Sequence, residues 1–134
     1  MAKNFTRCLP VLLVALALPL VAQAADSSAA VSKQVSTATA HAGMALGAAD
    51  LKMVRMHLHH VVNCLQGPSG AGFDAKAGNP CKGQGNGAIA DAKGDAATET
   101  KLHTALTQAE AGLKAKTVDA AHADAKKAMD TLQG

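Results

Sequence analysis

Met53, Met56, His57 and His60 lie in the segment His41–Cys64 (HAGMALGAADLKMVRMHLHHVVNC) at the i, i+3 and i+4 steps that bring side chains together on a helix. Imidazole suits copper, zinc and nickel, and thioether selects Cu(I). A mixed His/Met set therefore points to a soft transition metal, with copper ahead of nickel and zinc. Four of the six histidines and three of the five methionines fall between residues 41 and 60, a concentration that raises ligation above its ordinary frequency for helical histidines and methionines. Read as filler, Met53 and Met56 would be adaptable core side chains, with His57 and His60 at the edge of a bundle. His41 and His59 project a third way, beside Lys52 and Arg55, and are candidate ligands on a neighbouring face.

These residues need a helix to position them. At about 100° per residue, Met44, Leu51, Val54, Leu58, Val61 and Leu65 make a core seam, and Met53, Met56, His57, His60 and Cys64 gather on roughly the opposite side. Val31, Val35, Ala38, Ala42, Leu46 and Ala49 extend that second stripe upstream. Residues 27–65 thus predict helix throughout, with two apolar faces, and with Gly43 and Gly47 as points where it could bend or break. Residues 66–87 (QGPSGAGFDAKAGNPCKGQGNG) carry seven glycines and two prolines and read as a long surface loop. Residues 88–132 predict helix again, with a turn near Gly112–Lys116 and Thr117 capping the last helix. Leu102, Leu106, Ala109 and Leu113 form one apolar stripe there, and Val118, Ala121, Ala125, Met129 and Leu132 another. Aromatic residues make up 1% of the chain, and alanine-rich apolar faces suit closely packed helices rather than a sandwich or barrel. The expected fold is all-α: a small antiparallel three- or four-helix bundle with one long glycine-rich loop.

The N-terminus reads as a secretory signal over residues 1–25. Lys3 and Arg7 precede the apolar run Val11–Ala22, and Ala22-Gln23-Ala24 supplies the small-x-small cleavage pattern. The run falls short of the ~20 apolar residues that span a bilayer, so the expected product, residues 26–134, carries no membrane anchor. Its compartment is expected to be the periplasm. Removing residues 1–25 also removes Cys8 and leaves Cys64 and Cys81, which in an oxidising compartment should pair and pin the loop. The 13 basic residues lose Lys3 and Arg7, leaving 11 against 10 acidic ones, so no basic surface for nucleic acid or an anionic membrane is expected.

The C-terminal run AEAGLKAKTVDAAHADAKKAMDTLQ reads as helix, short turn, helix, with a His-Ala-x-x-Ala step at His122. It resembles the helical repeats of the small periplasmic metal-binding proteins. The resemblance implies a four-helix bundle that takes up copper and other divalent ions. Those proteins carry a histidine every few residues where this run has His122 alone, so the ligands would have to come from the Met53–His60 segment.

No catalytic function is expected: GxSxG, HExxH, CxxC and CxxCH are all absent. Haem held by His and Met would want bulky aromatic walls that the chain lacks. The expected function is periplasmic binding, buffering or delivery of a soft metal ion. The rival is a structural module whose second apolar face docks a partner helix or a second copy of the chain.

Overall fold

The computed structural model describes residues 20–134, with side chains from Ser27 onward. Over residues 1–19 the expected signal segment, with Cys8, lies outside the described residues. The described chain is all-helical: α1 (Leu20–Gly47), α2 (Leu51–Gln66), the single turn α3 (Ala88–Asp91), α4 (Ala96–Lys114) and α5 (Val118–Gln133). Two antiparallel hairpins, α1–α2 and α4–α5, pack side by side into a four-helix bundle. In it α1 lies against α5 and α2 against α4, while α3 closes the end near α1.

The long helical segment expected over 27–65 is two helices. It runs straight through Gly43, ends at Gly47 and restarts at Leu51. Asp50 caps the restart, its side chain accepting from the Met53 amide at 2.9 Å. From the outer side, His122 of α5 reaches the carbonyl of Ala48 at 3.0 Å and ties the turn to the second hairpin. The reversal overturns the continuous seam read from the sequence. Met44, expected to continue the core line of α2, is 51% exposed, and α1 instead buries Ala38, Ala42 and Ala45.

The core is built from small side chains on α1, α4 and α5 set against larger ones on α2. Val54, Leu58, Val61 and Leu65 are fully buried against Leu102, Ala105, Ala109, Ala121, Ala125 and Ala128. The approach is tight at Gly112, where an added Cβ would stand 2.6 Å from Leu58 Cδ1. Thr117 caps α5 as expected, accepting from the Ala120 amide at 3.2 Å.

The loop between α2 and α3 is stitched down at several points. Cys64 and Cys81 are disulfide-bonded, with Cα atoms 5.2 Å apart. Gly67 has a positive φ of 66°, and a side chain there would collide with the backbone of Asn86 and Gly87, so the two ends of the loop meet. The buried amide of Gln34 on α1 accepts from the Gly87 amide at 2.8 Å and donates to Asp91 at 2.7 Å. Among the described residues no helix is long and apolar enough to cross a membrane.

Candidate metal centre

His57 and His60 sit three residues apart on α2, so their rings share one side of that helix. The Gly47–Asp50 reversal brings His41 of α1 against them. Three imidazole nitrogens converge there: His41 Nδ1 lies 3.3 Å from His57 Nδ1 and 3.2 Å from His60 Nδ1. The ring centroids of His41 and His60 are 4.5 Å apart, those of His41 and His57 5.6 Å, and all three rings are half-buried. His57 and His60 thus meet α1, while Met53 and Met56 of the same stripe stay exposed.

The loop fixes the third ring. His60 Nε2 is 2.7 Å from the carbonyl of Ala77. A carbonyl only accepts, so Nε2 carries the proton of the neutral ring and Nδ1 presents its lone pair to the cluster. Asn63, fully buried on α2, holds the loop in place for this contact. Its Nδ2 donates to the carbonyls of Asp74 (2.8 Å) and Gly78 (2.6 Å), and its Oδ1 accepts from the Asp74 amide at 2.8 Å. Nothing in the sequence marked Asn63, because a lone asparagine near a helix end reads as a solvated surface residue.

The arrangement suits an ion. His41 Nδ1 can give a proton to one neighbour only, so at least one inward lone pair stays without a hydrogen. Two imidazole nitrogens bound tetrahedrally at 2.0–2.1 Å would stand about 3.3–3.4 Å apart, close to the separations found here. The Nε2–H to Ala77 contact is the kind of outer hydrogen bond that orients a ligating histidine. No carboxylate joins the three nitrogens, so the donor set is neutral.

Burial and mutual repulsion disfavour the charged, doubly protonated form of His41 and His57. Burial, with the neighbouring His60 and His57, lowers the His41 pKa from the ordinary 6.5 to about 4. Burial and His60 lower that of His57 as well. Unfolded, His41 would take up its proton near pH 6.5. Between pH 6.5 and about 4 the unfolded chain thus binds more protons, and acid favours unfolding. Asp91, whose burial alone would raise its pKa, is held below 3.8 by hydrogen bonds from Asn86 and Gln34 and titrates below that window. We expect the urea midpoint to be level above pH 7 and to fall from pH 6.5 toward 4. A midpoint that stayed constant across those values would contradict a neutral, buried His41.

The other candidates take different places. Met53 and Met56 stand four residues before His57 and His60, and are 38% and 39% exposed. His59 turns away toward the loop, where its Nδ1 is 3.8 Å from Asp74 Oδ2, too long for a hydrogen bond. It shares a shallow depression with Lys52, Arg55, Met56 and Lys76. His103 is exposed on α4, and His122 serves the Ala48 turn. The set that comes together is thus His41, His57 and His60. His41, assigned from the sequence to another face, joins them only because the chain reverses. Gly47 followed by Asp50 just before Leu51 is a helix stop and a helix start, and could have revealed the reversal.

Neither a protein-family model, nor a curated protein, nor a solved structure matches this chain.

Proposed function

We propose that this protein binds a transition-metal ion through His41, His57 and His60, and that its cargo in the cell envelope is copper, held for buffering or delivery. One observation carries the reading: three half-buried imidazoles from two helices converge, with His41 Nδ1 3.2–3.3 Å from a nitrogen of each of the other two rings and all three ligand atoms within 4.8 Å of one another, and one of those rings is locked by a backbone carbonyl. Copper is favoured over nickel and zinc by the general affinity order for nitrogen ligands and by the thioethers of Met53 and Met56 on the adjoining turns. The N-terminal pattern and the disulfide fit an oxidising compartment such as the periplasm.

Calorimetric titration of the purified, disulfide-intact protein with Cu(II), Ni(II) and Zn(II) tests this. We expect one equivalent to bind with copper tightest, and binding to vanish in a His57→Ala/His60→Ala variant whose helical circular dichroism is unchanged. Failure to bind any of the three ions below about 100 µM, near −5.5 kcal/mol, would refute the proposal.

A further inference from the structure

Three large apolar side chains are exposed among the described residues: Met44 at 51%, Met53 at 38% and Met56 at 39%. Each lies one helical turn from a different histidine of the cluster. Met44 follows His41 by three residues, Met53 precedes His57 by four, and Met56 precedes His60 by four. Because α1 and α2 run antiparallel, all three steps lead the same way, toward the Gly47–Asp50 turn. A layer of thioethers therefore lies about 5.4 Å along the hairpin from the layer of imidazoles. The core beside it is mostly alanine, yet these bulky, adaptable side chains stay at the surface. The remaining described methionine, Met129, is packed against the core.

We propose that Met44, Met53 and Met56 form a second binding station, specific for a soft monovalent ion and so for Cu(I). Thioether sulfur prefers Cu(I) to harder divalent ions. Three rotatable bonds per side chain let these sulfurs, carried by two neighbouring helices, adapt to one ion. Thioethers take up no proton in water at ordinary pH, so this station keeps its ligands in acid as well as at neutrality. The chain would then hold Cu(I) at the open edge of the hairpin, one turn from nitrogen donors. The inference rests on the copper reading for the identity of the cargo only, because the sulfur layer binds whether or not the histidines are loaded.

The test uses Ag(I), a redox-inert stand-in for Cu(I), with methionine methyls labelled with carbon-13 and chloride excluded. Titration at pH 7 and at pH 5 should shift the methyls of Met44, Met53 and Met56 together and leave Met129 in place. The shifts should persist in the His57→Ala/His60→Ala variant. The Ag(I) dissociation constant should rise at least tenfold in a Met44→Leu/Met53→Leu/Met56→Leu variant, which conserves bulk, while Zn(II) binding at the histidines is unchanged. Unmoved methyls, or an Ag(I) affinity indifferent to the leucines, would overturn the second station whatever the divalent titrations show. Methyl shifts that follow protein concentration instead of Ag(I) would also overturn it, and would mark the patch as a contact between copies.

Discussion

With alanine at position 41, the protein is expected to lose at least about a hundredfold in affinity for its divalent ion. Disturbing only the outer hydrogen bond of a ligating histidine typically costs 10–100-fold, and this change removes a ligand outright. A hundredfold corresponds to about 2.7 kcal/mol. The fold should survive, because His41 is half-buried at the rim of α1 and its neighbour Ala42 already fills the core position. A second readout separates ligation from packing. His41 is the group whose pKa burial lowers to about 4, so His41→Ala should flatten much of the stability loss between pH 6.5 and 4. Affinity equal to that of the unaltered protein in a folded His41→Ala variant would remove α1 from the site.

Breaking the Cys64–Cys81 disulfide is expected to act on stability and on the metal together. The bond links residues 17 apart in sequence, for which the chain-entropy picture gives about 3 kcal/mol. A core of alanines and short aliphatics has little reserve against such a loss. The same bond anchors the loop that supplies the Ala77 carbonyl to His60 Nε2. Loosening the loop frees that ring to turn and should weaken Zn(II) binding about tenfold. The comparison is Cys64→Ser/Cys81→Ser against the oxidised protein, by urea unfolding and by Zn(II) titration, since zinc does not itself react with thiols by redox chemistry. If the midpoint falls while the zinc affinity holds, the disulfide stabilises the bundle but is not needed to orient His60, and the Asn63 hydrogen bonds alone keep the loop in place.

How far the sequence could be read depended on whether the signal was local. Thr117 as a cap and the glycine-rich span 66–87 are local and are found where the sequence places them, and so are the alanine-rich helical stretches apart from the breaks at 48–50 and 92–95. The Cys64–Cys81 pairing followed from there being two candidate cysteines. His57 and His60 were legible because both belong to one helical turn. His41 was named as a candidate, but its place beside them was not legible, since it depends on the chain folding back six to nine residues later, and a helical wheel drawn through Gly47 rotates everything upstream into the wrong phase. The same error put Met44 in the core. The Ala77 carbonyl and Asn63 were beyond reach for another reason: a loop's backbone contacts leave no residue-type pattern along the chain.

The way the loop closes on itself sets what can change around the site. Gly67 and Gly87 abut backbone to backbone, and Gln34 fastens the far end to α1. The chain thus leaves the bundle and re-enters it at nearly one point. The intervening span hangs on the helices as a graft. Its outer tip, around Lys82 and Gly83, is exposed and has open space about it. Residue type can vary at exposed Lys82 without altering how the four helices meet, whereas Gly83, at a φ of 78°, favours glycine. The Cys64–Cys81 bond and the Asn63 hydrogen bonds to Asp74 and Gly78 hold the rest of the loop. A lineage could therefore retune access to the histidines by editing a surface appendage, leaving the scaffold that aligns them as it was.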